Sequence, residues 1–147
     1  MESNILSIID SFQNELDKTN VEDFYIIRYD RSGKLILAGS FDFCYYHNVE
    51  IIFHDVSFIC CPSSTFTVNR LRIADESEIQ ELHQMIHGYQ KDGFAICMED
   101  TFSNTSYYII AHDIEYKFQK VNYYCDGKII KGEVISDWAK EKCLLNK

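Results

Sequence analysis

The stretch Tyr107-Tyr-Ile-Ile-Ala-His-Asp-Ile-Glu-Tyr-Lys-Phe118 shows what kind of backbone this chain forms. In its second half, Ile114, Tyr116 and Phe118 alternate with acidic and basic residues. Successive side chains of a strand point to opposite faces, so this alternation predicts a strand with one buried face and one wet face. Strands of that kind form antiparallel sheets. His112 is in phase with Ile114 and is expected to point inward.

Further strands are predicted on both sides of this stretch. Runs of aromatic and β-branched residues bounded by turn residues are typical of strands. The sequence Asp30-Arg31-Ser32-Gly33 predicts a turn between two such runs, and Asp126-Gly127 predicts a two-residue hairpin turn. The predicted strands are 24–29, 34–38, 41–46, 49–53 (the last two could be one strand interrupted at 47–48), 58–61, 66–73, 94–98 and 107–118, with a hairpin at 123–130.

Three helices are predicted from apolar spacing and capping residues. Apolar residues recur at helical spacing from Ile5 to Leu16, which predicts a helix with Ser3 as its N-cap and an end near Lys18. Asp75 followed by Glu78 has the spacing of a capping box, which predicts a middle helix ending at Gly88 or at 92–93. Apolar residues near the C-terminus predict a last helix over 133–144.

The order helix, strands, helix, strands, helix indicates an α+β fold rather than alternating βαβ units. We expect a mainly antiparallel twisted sheet of about six to eight strands, packed against the N-terminal, middle and C-terminal helices. The length of 147 residues is typical of one domain, and nothing in the composition suggests a linker. We therefore expect a single domain over residues 1–147.

The charge balance restricts the partners. The formal net charge is −9 at pH 7, and 46% of the residues are hydrophobic. Such a surface repels phosphate backbones and anionic lipids, so we expect neither nucleic-acid nor membrane binding. It attracts basic protein surfaces, although acidic charge also serves simply to keep an aromatic-rich domain in solution.

The six cysteines are expected to be reduced. The N-terminal residues contain no basic segment followed by a long apolar one, so no signal peptide is predicted. Most of the cysteines lie inside apolar runs, where a thiol packs as a small hydrophobic group. We therefore expect mostly buried thiols in a cytoplasmic protein.

The motifs that could carry chemistry are incomplete. His83 and His87 have the i, i+4 spacing of a helical zinc site, but Gln84 stands where a zinc protease needs a glutamate base. Adjacent Cys60 and Cys61 would point to opposite faces of a strand and could not chelate one ion. We predict no metal site and no cofactor, and we identify no catalytic residue.

The densest mixture of aromatic and polar residues gives the candidate site. Tyrosine is enriched in interfaces and pockets, and the region 41–55 contains several tyrosines beside histidines and acids. The candidate partner-binding or ligand-binding residues are Tyr45, Tyr46, His47, Glu50, His54 and Asp55. The alternative is that these aromatic residues only form cross-strand pairs that stabilise the sheet.

Two functions are compatible with these observations. The first is a non-enzymatic interaction domain that captures a basic protein, as bacterial immunity proteins neutralise basic toxins. The second is a small enzyme or ligand-binding domain whose pocket is formed by His47, His54, His112 and tyrosines. Convergence of the three histidines in space would favour the second function.

Overall fold

The computed structural model describes residues 2–86, 93–123 and 133–140. The helices and strands in these ranges are α1 (Glu2–Leu16), β1 (Asp23–Tyr29), β2 (Leu35–Ser40), β3 (Tyr46–His54), β4 (Phe58–Cys60), β5 (Phe66–Thr67), β6 (Arg70–Ile73), α2 (Glu76–Met85), β7 (Phe94–Asp100), β8 (Thr105–Ala111), β9 (Asp113–Asn122) and β10 (Val134–Ile135). A helical turn at 137–140 follows β10.

The fold is α+β, as predicted, but the strands form two sheets. In the described ranges, sheet one has six strands in the order β10-β9-β3-β2-β1-β5, and sheet two has four strands in the order β4-β8-β7-β6. Both are antiparallel except where β10 lies parallel to β9. The ten strands in the described ranges exceed the six to eight predicted, because two predicted strands each divide between the sheets and β10 lies where a helix was predicted.

The break at His112 is the first of these divisions. The stretch 107–118 is predicted as one strand, but β8 ends at Ala111 in sheet two and β9 starts at Asp113 in sheet one. His112 lies at this change of sheet and is exposed, so the prediction that it points inward is wrong. The alternation from Ile114 to Phe118 is confirmed, because Ile114 is buried while Asp113, Glu115 and Lys117 are exposed.

Two other predicted strands also differ from the structure. The range 66–73 divides into β5 in sheet one and β6 in sheet two. Residues 46–54 form one continuous strand, whereas 41–45 form a bend and turn in front of it. The predicted hairpin around Asp30 is confirmed as β1 and β2, and Gly33 in its turn has a φ of +83°, which favours glycine.

Helix α1 packs against sheet one and β6 and closes the main core. The ring of Phe12 lies 5.4 Å from that of Tyr116 and 5.7 Å from that of Phe118. The helix ends at Leu16, near the predicted end, but it begins at Glu2, so Ser3 lies inside it rather than capping it. The buried residues of this core are Ile5, Ile9, Phe12, Leu16, Val21, Phe24, Leu35, Leu37, Val49, Ile51, Phe53, Phe66, Val68, Leu71, Ile96, Met98, Ile109, Ala111 and Ile114.

Helix α2 covers the other face of sheet two. The predicted capping box is confirmed, since the Asp75 carboxylate accepts from the Glu78 backbone N–H and Glu78 accepts from that of Asp75. Leu82 of this helix packs with Ala95 and Ile110 in a second, smaller core. Sheet two therefore has apolar contacts on both faces.

The C-terminal region matches its prediction only in part. Val134 and Ile135 form β10 instead of starting a helix, and helical structure is described only at 137–140. The predicted turn at Asp126-Gly127, the helix end at Gly88 and the range 141–144 lie outside the described residues. No helix in the described ranges is both long enough and apolar enough to span a membrane.

Candidate functional site

Strand β3 divides the six candidate residues between its two ends. Tyr45, Tyr46, His47 and Glu50 lie at or near its start, and His54 and Asp55 at its finish. A strand advances by about 3.3 Å per residue, so His47 and His54 are about 23 Å apart along the backbone. The structure therefore presents two separate groups of candidate residues.

His47 forms the centre of the first group. It is only 5% exposed, and it pairs with Val121 across β3 and β9 next to an irregularity in their register. Its Nδ1 lies 2.5 Å from the hydroxyl oxygen of Tyr123. Its Nε2 lies 3.7 Å from Oε2 of Glu50 and has no hydrogen-bond partner. One ring nitrogen is therefore closely partnered, and the other only faces a carboxylate.

Tyr123 and Glu50 have altered acidities at this contact. Burial, and then the neighbouring Tyr25 hydroxyl at 3.5 Å, raise the pKa of Tyr123 far above its usual range, so the phenol keeps its proton. Interaction with the His47 ring, at a separation longer than a hydrogen bond, lowers the pKa of Glu50. The arrangement is thus a neutral phenol and an ionised carboxylate on opposite sides of one imidazole.

Exposed aromatic side chains surround this buried group. Phe41 is 62% exposed, Tyr45 56% and Trp138 50%. The Tyr123 backbone N–H donates to the Tyr45 carbonyl at 2.8 Å, and the rings of Tyr123 and Trp138 lie 5.5 Å apart. We call Phe41, Tyr45, Tyr123 and Trp138 the aromatic end of sheet one.

Ser40 fixes the turn that carries Phe41 and Tyr45. Its hydroxyl donates to the Tyr46 carbonyl at 2.7 Å and accepts from the Asp42 backbone N–H at 2.9 Å. The Asp42 carboxylate in turn accepts from the Cys44 N–H at 3.0 Å. These bonds occupy the backbone groups of the turn and hold it in one conformation.

A cation already lies on a tyrosine beside the aromatic end. The Lys120 ammonium is 4.9 Å from the centroid of the Tyr46 ring. The same ammonium pairs with Glu133 at 3.2 Å. A positive charge between an aromatic ring and a carboxylate is a stable combination. The Tyr46 ring and the Glu133 carboxylate therefore form a cation site that the chain's own Lys120 occupies.

The second group of candidate residues lies beside an open depression at the opposite end of β3. His54 contacts Glu115 at 3.0 Å, and the His112 backbone N–H donates to the His54 carbonyl. Asp55 adopts a left-handed conformation with φ of 51°. The depression has a volume of about 590 Å³ and is lined by Tyr29, Asp30, Arg31, Ser32, Gly33, Asp55, Val56 and His112.

The structure does not bring the three histidines of the pocket hypothesis together. His54 and His112 are neighbours, but His47 lies at the other end of β3. Within the described ranges, no three His, Cys, Asp or Glu side chains are grouped as metal ligands. His87, the proposed companion of His83, lies outside those ranges.

A second polar cluster joins α2 to sheet two. The Arg72 guanidinium makes a bidentate contact with Glu78, at 2.6 and 3.1 Å, and its Nε donates to Glu99. The Tyr108 hydroxyl also donates to Glu78. Burial opposes ionisation of Glu78, but hydrogen bonds from Arg72, Tyr108 and the Asp75 backbone outweigh it and lower the pKa of Glu78 to about 2. The polar side chains of this cluster all have partners, which is typical of a structural link.

The sequence alone does not indicate that Tyr25, Tyr123 and Trp138 belong to the site. It places Tyr123 in a hairpin strand and Trp138 among helix contacts, 76 and 91 positions after His47. Only the pairing of β3 with β9 brings Tyr123 to His47. No local pattern in the sequence carries that information, because strand register depends on long-range contacts.

Comparison of the chain with protein-family models, curated protein sequences and solved structures finds no match.

Proposed function

We propose that this protein is a non-enzymatic, acidic interaction domain that binds a basic protein through the aromatic end of sheet one. One observation carries the proposal. The two buried polar side chains of the described residues, Ser40 and His47, both support this surface. Ser40 fixes the turn with Phe41 and Tyr45, and His47 holds Tyr123.

Exposed aromatic groups on a rigid base favour binding. Large aromatic side chains supply most of the binding energy in many interfaces, particularly at the centre of the contact. Binding is stronger when the contact residues need little ordering on association. The Ser40 bonds and the Tyr123–His47 contact supply that ordering in advance.

The charge of the chain favours a basic partner. The net charge of −9 accelerates encounter with a cationic surface and slows encounter with an anionic one. Asp42 lies in the turn and Asp137 is exposed beside Trp138. Neutralisation of a basic toxin or nuclease, as by an immunity protein, is the specific role we propose.

The thiols fit a reducing compartment such as the cytoplasm. Cys44 and Cys60 are exposed and unpaired, and such thiols form mixed disulfides under oxidising conditions. Two of the four described thiols are exposed, so the prediction of mostly buried cysteines is wrong for these four. The exposed thiols lie on a turn and at the end of short β4, where packing does not cover them.

The test begins with capture of partners from lysate of the source organism at low and moderate salt. The captured protein is then purified, and its Kd is measured with wild type, Tyr45→Ala, Trp138→Ala and Phe102→Ala. Phe102 is a matched control because it is 86% exposed but lies in the turn between β7 and β8.

We expect Tyr45→Ala and Trp138→Ala each to weaken binding by about tenfold or more, and Phe102→Ala to leave it unchanged. We also expect Kd to rise with salt. Equal losses in all three variants would contradict the assignment of the surface. A captured partner that is a nucleic acid or a neutral protein would contradict the proposed partner class.

A further inference from the structure

The His47 ring has an unequal environment that its chemistry can exploit. A neutral imidazole carries one N–H and one bare nitrogen, and a protonated ring carries two N–H groups. Nδ1 meets Tyr123, and Nε2 faces Glu50 at 3.7 Å without a hydrogen bond. Its side chain is 6% exposed, so water has little access to the ring.

The partners of the ring determine its neutral form. Glu50 as a carboxylate can only accept, so a bare Nε2 facing it would be repelled. The neutral ring therefore carries its proton on Nε2, and Nδ1 accepts from the Tyr123 hydroxyl. Tyr25, 3.5 Å from the Tyr123 oxygen, can donate to that oxygen and complete the chain.

Addition of a proton to the ring reverses the hydrogen bond with Tyr123 and favours formation of a new one with Glu50. The new N–H on Nδ1 donates to the Tyr123 oxygen, so the Tyr123 hydroxyl turns to donate to Tyr25. The Nε2–H now belongs to a cation and attracts the Glu50 carboxylate, so that closing the 3.7 Å separation forms a charge-assisted bond. Tyr123 has the same two partners in both forms, but in the protonated form its contact with the ring is charge-assisted and therefore stronger, and Glu50 is drawn toward the ring.

The charges around the ring do not oppose this change. Glu50 is the carboxylate that directly faces His47, on the same strand. The other titratable groups on the surrounding elements are Tyr25 of β1 and Tyr123 after β9. Lys117 of β9 and Lys34 before β2 both act on Glu50. Lys120 of β9 is paired with Glu133. The nearest charge to the ring is thus negative.

Tyr123 transmits the change to the surface. It donates its backbone N–H to Tyr45, and its ring contacts Trp138. Both residues belong to the aromatic end, so the state of the His47 ring sets how firmly that surface is held.

We propose that His47 is a proton-operated switch whose protonation fixes Tyr123 and strengthens partner binding at the aromatic end. The effect on binding rests on the function proposed above. The ring chemistry does not, so the two can be tested separately.

Trp138 provides the first test, because it is the single tryptophan of the chain. Its fluorescence is followed from pH 8 to pH 5, the interval in which histidine side chains change charge. We expect one transition in the wild type and none in His47→Gln. The matched control is His54→Gln, because His54 contacts Glu115 at the far end of β3. This variant should keep the fluorescence transition. A transition that survives in His47→Gln would overturn the proposal.

A second variant and a measurement on the wild type cover the case in which His47→Gln does not fold. The Glu50 side chain is 20% exposed, and Glu50→Gln removes the charge while keeping the shape. It should lower the midpoint of the fluorescence transition, because the carboxylate no longer stabilises the protonated ring; an unchanged midpoint would overturn the proposal. Side-chain nitrogen NMR of the wild type should show the Nε2–H form of His47 at pH 8 and the doubly protonated ring at pH 5. The Nδ1–H form, or a ring neutral throughout, would overturn it.

Partner affinity supplies the final test. The captured protein should bind wild type at least about threefold more tightly at pH 5.5 than at pH 8, and His47→Gln should lose this difference. Binding through the aromatic end without such a difference would refute the switch and leave the proposed function intact. A normal fluorescence transition with no binding partner would refute the proposed function and with it the effect on binding.

Discussion

Replacement of Arg72 by methionine tests whether the cluster beneath α2 holds that helix on sheet two. Arg72 donates to both Glu78 oxygens and to Glu99, so it links α2, its own strand β6 and β7. Methionine keeps the apolar stem and removes all three bonds. Glu78 and Glu99, with side chains 14% and 18% exposed, would then face each other without the cation between them.

The size of the effect follows from this burial. Removing one partner of a fully buried ion pair costs about 3–5 kcal/mol, because an uncompensated charge remains. The Arg72 side chain is 26% exposed, so solvent screens part of this loss, and we expect about 2–3 kcal/mol. For a domain of this length that corresponds to a decrease in Tm of about 5–10 °C.

The dependence on pH distinguishes electrostatics from packing. The pKa of Glu78 is about 2 in the folded protein, below its ordinary value of 4.5. A carboxyl group whose pKa is lower in the folded than in the unfolded protein stabilises the fold. For Glu78 this stabilisation is complete above about pH 4.5 and is lost as the pH falls toward 2. At pH 3 the wild type has therefore lost much of this contribution, while the variant lacks at every pH the share that Arg72 supplies. The difference in Tm should be smaller at pH 3 than at pH 7.

Thermal unfolding followed by circular dichroism at the two pH values measures both effects. The matched control is Arg70→Met, because Arg70 lies on the same strand and is exposed. We expect its free energy of unfolding to change by no more than about 0.5 kcal/mol. Equal Tm values for Arg72→Met and Arg70→Met would contradict the stabilising role of the Arg72 ion pairs. So would a Tm deficit of Arg72→Met that is the same at both pH values.

Three further predictions concern the core and the thiols. Gly39→Ala should lower the free energy of unfolding by about 1–3 kcal/mol in urea titration, because the new Cβ would lie 2.5 Å from the Phe24 ring; an unchanged value would show that the ring yields freely. Phe12→Ala should cost about 3–5 kcal/mol, since this ring is 1% exposed between α1 and sheet one, and a loss below 1 kcal/mol in the same titration would contradict that packing. Iodoacetamide at pH 8, read by mass spectrometry, should label exposed Cys44 well before Cys97, whose pKa burial raises to about 11; equal labelling rates would contradict their placement.

Local sequence signals predicted the elements that depend on neighbouring residues. The capping box of Asp75 and Glu78 and the turn at Asp30 are determined within a few positions, and both are confirmed. The alternation from Ile114 to Phe118 was likewise predicted correctly, because one sheet face is buried there. Each of these signals arises from contacts that are close in sequence.

The division between the sheets could not be predicted in this way. Ile109, Ile110 and Ala111 are consecutive buried residues, because sheet two has apolar contacts on both faces. Only His112 and Asp113 separate this apolar run from the buried Ile114. A periodicity that suggests one long strand is therefore compatible with a strand that changes sheets. For the same reason, sequence could propose His47 as a site residue but could not find Tyr123, which reaches it only through the register of β3 with β9.

The two polar clusters differ in a way that separates stability from function. In the Arg72 cluster the side chains have partners, as expected of a network that holds elements together. At His47 a buried ring nitrogen is left without a hydrogen bond, which costs about 1–3 kcal/mol. A network selected for stability alone would have replaced this histidine by an apolar residue or completed the bond to Glu50. The incomplete network at His47 lies beneath the exposed aromatic surface, and attraction between a protonated ring and Glu50 would complete it, which is the change that the proposed switch requires.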